Sequence, residues 1–101
     1  MLGRRVTVTV EHPAGQKEKQ RHWKCSCGHV QEVLEAENRW QDAVIPGPEK
    51  PLEWFEGEVI ARLATPEGEY WAVGSVQKPL SQAELLAECR FLGDVKILEM
   101  L

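Results

Sequence analysis

Valines at positions 6, 8 and 10 alternate with threonines at 7 and 9. This two-residue period has high strand propensity, so the chain opens on a half-buried β-strand. His12-Pro13-Ala14-Gly15 breaks the pattern, and residues 17–25 return as a second strand. On that return Lys17, Lys19, Arg21, Trp23 and Cys25 share one face, and Glu18, Gln20, His22 and Lys24 share the other. Neither face is apolar over its first half, which predicts an N-terminal hairpin arm at a sheet edge. From Val30 the period turns helical. Val30, Val33, Leu34, Trp40 and Val44 make one stripe, with Glu32, Glu35 and Arg39 outside it, and Trp40 falls in the core. Pro46-Gly47-Pro48 ends that helix and starts a stiff loop to Pro51.

Alternation resumes at Val59, Ala61 and Leu63, although Ile60 makes the centre of this strand apolar on both sides. Thr65-Pro66-Glu67-Gly68 reads as a type I turn, and residues 70–73 begin the return strand, on which only one of Tyr70 and Trp71 can face inward. Ser81 with Glu84 three residues on is a capping box. Leu85, Leu86, Cys89 and Leu92 form the inward stripe of that helix, Gly93 ends it, and residues 94–101 close as a strand. The predicted order is β-β-α-β-β-α-β in one α+β domain spanning residues 1–101. Without the arm this is a ferredoxin-like order, with two helices on one face of a mostly antiparallel sheet.

The size of the chain, 101 residues of which 43% are hydrophobic, supports one modest core and leaves little for a large substrate cleft. No apolar run is long enough to span a bilayer, and the start does not read as a signal peptide, so the expected setting is soluble and cytoplasmic, away from membranes. The net charge of −4 is unevenly spread: residues 1–27 carry +4 and residues 28–101 carry −8. Nucleic acid could therefore meet only the N-terminal third. There Lys17, Lys19 and Arg21 share a strand face with Trp23, cations for phosphates beside a ring for a base.

The densest chemistry is His22-Trp23-Lys24-Cys25-Ser26-Cys27-Gly28-His29, which holds the ligand types zinc prefers. Cys25, Cys27, His29 and His22 form a candidate zinc set. Trp23 to Gly28 resembles one knuckle of a zinc-ribbon or treble-clef module, which implies a structural zinc. The stretch departs from that pattern in having C-x-C rather than C-x-x-C, and no second ligand pair follows. Same-face residues on an extended strand lie about 6.6 Å apart. Two sulfurs on one ion must be closer, so a shared zinc requires a bend near Gly28. Cys89, on a helical stripe, reads as core. Thiol redox chemistry at Cys25 or Cys27 is a further alternative.

No phosphate-cradling glycine motif and no catalytic carboxylate pair is present. Trp54 and Phe55 follow the proline loop, and Glu49, Glu53, Glu56, Glu58, Glu67 and Glu69 surround them and Tyr70. The leading expectation is a small non-enzymatic binding protein, a regulator or inhibitor of a larger protein. It would act through an acidic-aromatic surface of Trp54, Phe55, Glu53, Glu56 and Tyr70. A zinc-stabilised nucleic-acid-binding module is the alternative.

Overall fold

The computed structural model describes residues 2–18, 21–33, 39–48 and 50–101. The opening alternation forms β1 (Arg5–His12), with Val6 and Val8 buried and the threonines on the opposite face. The arm is short: β2 (Lys17–Glu18) pairs with β3 (Arg21–His22), and Lys19 lies outside the described residues. β4 (Ser26–Val30) then runs antiparallel to β1. Gly28 lies within this strand, not at a change of direction. A Cβ there would stand 1.8 Å from the Thr9 carbonyl oxygen, so the close approach of β1 is what requires glycine.

The helix expected from Val30 to Val44 is corrected. Residues 31–33 are helical, Leu34 and Glu35 lie outside the described residues, and Val44 belongs to a strand, β5 (Asp42–Ile45). A short apolar run does not distinguish a buried strand from a buried helix by period. β5 is apolar on both faces because both are covered. Ala43 and Ile45 face one core, and Val44 faces another.

β6 (Trp54–Thr65) and β7 (Gly68–Gly74) form the expected hairpin, with Thr65 Oγ1 donating to the Gly68 carbonyl at 2.9 Å across the turn. The capping box is in place. Ser81 Oγ accepts from Glu84 N–H at 3.1 Å, and Glu84 Oε1 accepts from Ser81 N–H at 2.9 Å. It starts α1 (Gln82–Cys89), which tightens into a 3-10 turn (Arg90–Leu92) before β8 (Lys96–Met100).

The sheet does not stay open. β1 pairs with β4, β4 with β5, β5 in parallel with β7, β7 with β6, and β6 returns to β1. Five strands thus close into a mixed barrel, with β8 added against β6. The ferredoxin-like α+β arrangement with two helices on one face of a flat sheet is overturned. β6 is the physical reason. Its residues 54–58 pair with β1 and residues 61–64 with β8, with register shifts between Val59 and Ala61 and between Arg62 and Leu63. Such irregularities bend a strand enough to close a barrel.

Two cores result. Val6, Val8, Val30, Ala43, Ile45, Val59, Trp71 and Val73 pack together inside the barrel. Outside it, Cys25, Cys27, Val44, Ala61, Leu63 and Ala72 pack under Trp23 and under Leu85, Cys89 and Leu92 of the α1 segment. The double-sided apolarity at Val59 and Ile60 reflects service to both. No helix among the described residues is long and apolar enough to cross a membrane.

Candidate functional site

The α1 layer covers only part of the barrel's outer surface. Where it stops, strand register lines up a row of outward side chains. Trp54 of β6 is opposite Thr9 of β1, Thr9 opposite His29 of β4, His29 opposite Asp42 of β5, and Asp42 opposite Tyr70 of β7. At about 4.8 Å per strand the row runs about 19 Å along the curved surface. Trp54 is 64% exposed. Trp40 overhangs the centre, 51% exposed, where the helical stripe had placed it in the core. Its ring centroid lies 4.1 Å from that of His29, and its Nε1 donates to Asp42 Oδ1 at 2.7 Å. Glu11 Oε1 is 3.4 Å from His29 Nδ1 on the other side.

The electrostatics of this row are unbalanced. Burial pushes the Asp42 carboxyl above its ordinary range. Glu11 and Glu67 push it further the same way, against the Trp40 hydrogen bond and His29. Tyr70 is likewise raised, chiefly by burial and then by Asp42. Asp42 is thus a half-buried carboxylate whose charge is incompletely compensated.

The carboxylates that the sequence grouped around residues 49–69 are mostly committed elsewhere. Glu56 and Glu58 both bind Arg5, the former at 3.1 Å. Glu67 pairs with Arg21 at 2.6 Å, and Glu69 with Arg62 at 2.8 Å. Glu49 lies outside the described residues. Among the described residues Glu53 has no ion pair. The expected surface also divides. Trp54 and Glu56 face outward, whereas Phe55 is opposite Val8 and packs against the barrel interior. Tyr70 and Trp54 join the same surface only through Thr9, His29 and Asp42.

The cysteine-histidine stretch disperses. Cys25 and Cys27 are buried in the outer core, His22 is exposed on β3, and His29 joins the row. Among the described residues no three His, Cys, Asp or Glu side chains are grouped to hold a metal ion. His12 stacks on Trp23 at 4.2 Å, and the Arg21 guanidinium lies 5.4 Å from the same ring. Trp23 is buried, and Arg21 and Lys24 meet Glu67 and Glu88. Of the basic arm's four expected contact residues, Lys17 is exposed, Lys19 lies outside the described residues, and Arg21 and Trp23 are engaged within the fold.

Burial pushes the Cys25 and Cys89 thiols up to about 12 and raises Cys27 as well. Near neutral pH, iodoacetamide is expected to label all three more than about a hundredfold more slowly in the native protein than in urea. Mass spectrometry over time would show it. Rapid labelling of one native thiol would mean that the outer core opens.

No family model and no curated protein matches the chain. Among solved structures, an inorganic pyrophosphatase from Coxiella burnetii is similar at 17% identity, over 97% of this chain and 88% of that one, with a TM-score of 0.52. At such low identity the likeness concerns the fold. It agrees with the closed barrel and not with a flat ferredoxin-like sheet.

Sequence reasoning missed Asp42, Glu11 and exposed Trp40 as site residues. The available signal was Trp40-Gln41-Asp42 directly before the apolar run Ala43-Val44-Ile45. A polar step at that point marks a strand entering the core more naturally than a continuing helix.

Proposed function

We propose that this protein is a non-enzymatic binding protein that takes a lysine- or arginine-rich segment of a larger protein on the outer face of its barrel. The observation that carries the reading is the cross-strand row Trp54–Thr9–His29–Asp42–Tyr70 with Trp40 above it. An incoming cation would compensate Asp42 and Glu11 and lie against the Trp40 ring. Outer strand faces of small five-stranded barrels are also recurrent ligand surfaces. Here the carboxylates favour a cationic partner over a phosphate backbone.

The test is titration of a Lys/Arg-rich peptide at low and high salt. Trp40→Ala and Asp42→Asn are each expected to weaken binding about tenfold with an unchanged circular dichroism spectrum. Asp42→Asn carries a second signature. The folded state holds the Asp42 pKa above its unfolded value, so the ionised carboxylate opposes folding above the carboxylate range and does not below it. The variant is therefore expected to gain stability at neutral pH and none in acid. Peptide binding unaffected by either substitution would overturn the proposal. So would magnesium-dependent release of phosphate from pyrophosphate, the chemistry in the name of the similar structure.

A further inference from the structure

The parallel strands β5 and β7 enter the barrel at the Asp42–Tyr70 row and leave it about 13 Å away, four residues on. At that far end lies a cavity of about 460 Å³. One wall is Pro46-Gly47-Pro48, directly after β5. Phe55 and Ile60 of β6, and Leu80, also line it. Ser75 and Lys78 stand at the rim. The volume falls within the usual range of small-molecule sites, and the walls are mostly apolar with few polar groups, as such sites are.

The rim is built, not incidental. Lys78 N–H donates to the Ser75 carbonyl at 3.1 Å, and Gln77 N–H donates to Ser75 Oγ at 3.2 Å, closing a turn that fixes the backbone of both residues beside the cavity. Among the described residues Lys78 has no carboxylate partner. Ser75 Oγ accepts one hydrogen bond, and its own proton has no acceptor among those residues.

We infer that this cavity binds a small apolar monocarboxylate. The hydrocarbon or aromatic body lies against Phe55, Ile60 and Leu80, and the carboxylate meets the Lys78 ammonium and the Ser75 hydroxyl. An apolar slot with the Lys78 ammonium at its mouth is complementary to an amphiphile carrying one negative charge. The site is separate from the cationic-partner face and does not depend on it.

The experiment is an amide NMR titration of the full chain with 4-phenylbutyrate and, in parallel, with the neutral 4-phenylbutan-1-ol. The expected result is shifts centred on Phe55, Ile60, Gly74 and Leu80. The carboxylate should bind about three- to fivefold more tightly than the alcohol, the scale of one exposed ion pair. Lys78→Met, at an exposed position, should erase that preference while leaving the alcohol's affinity in place. Ser75→Phe, which fills the mouth, should abolish both. Shifts confined to other residues, equal affinity for the two probes, or a preference that survives Lys78→Met would each overturn the inference.

Discussion

Replacing Gly28 with alanine is expected to destabilise the protein by at least about 3 kcal/mol, read from urea unfolding of the two proteins. The added methyl would sit 1.8 Å from the Thr9 carbonyl oxygen, 2.7 Å from its carbon and 2.9 Å from Val10 Cα. These are backbone atoms of the paired strand and cannot swing away as a side-chain tip would. The β1–β4 ladder must separate locally, and it is one seam of a closed barrel, so the strain passes to the β6–β1 seam beside it. Against a total stability of about 5–15 kcal/mol for such a domain, the loss is a large fraction. Gly15→Ala is the contrasting case. Gly15 has φ +91° with nothing near its missing Cβ, so the cost should be only the left-handed strain of about 1–2 kcal/mol. If the two substitutions cost the same, close approach is not what selects glycine at position 28.

Trp71→Ala should cost about 3–5 kcal/mol. Trp71 is 2% exposed and fills the barrel interior among valines and alanine. Neighbours tied into a closed ring of strands collapse poorly into the space it would leave. Its Nε1 also donates to Glu69 Oε2 at 3.0 Å, and Glu69 in turn holds Arg62 at 2.8 and 3.0 Å. Trp71→Phe separates the two roles, keeping a ring and removing the N–H. Glu69 is held below the usual carboxylate range, first by Arg62 and also by Trp71. A depressed folded pKa contributes stability that is present above the unfolded pKa and lost as pH falls through the folded one. Removing a donor raises the folded pKa, so Trp71→Phe should move acid unfolding to higher pH as well as lowering stability near neutrality. An acid transition that stays in place would show that the indole N–H contributes nothing to Glu69.

Local features were legible wherever a residue's neighbours in sequence are also its neighbours in space. The Val-Thr alternation of β1, the Thr65–Gly68 turn and the Ser81–Glu84 box each form because a few adjacent residues satisfy one another's geometry. Cys89 in the core followed from simple periodicity, as did the division of Tyr70 and Trp71 between two faces, although only the structure shows that Trp71 is the inward one. Residues 30–44 misled because Val30, Val33, Trp40 and Val44 fit a helical stripe, although Val30 ends β4 and Val44 sits in β5, a strand covered on both sides. Trp40 was drawn into that stripe and so lost as a surface residue. The Cys25–His29 stretch looked like a ligand set because chain proximity stood in for convergence. On a strand, Cys27 and His29 do share an outward face, but Cys27 lies under the helix layer and His29 lies just beyond it.

By itself, the sequence determined one domain's worth of apolar residues, the strands whose period is unambiguous, the capped final helix and an acidic balance outside the N-terminal arm. Only the tertiary structure decided that the sheet closes, because closure depends on bends in β6 and on pairings between residues as distant as Thr9 and Trp54. Tertiary structure alone also decided which carboxylates gather beside the exposed aromatic residues. Arg5, Arg21 and Arg62 reach acids far along the chain or across a hairpin, leaving Asp42 and Glu11 beside Trp40 and His29. Charge and period are properties of neighbours in sequence, whereas a binding face is made by register between strands, and register is set by contacts that no local pattern encodes.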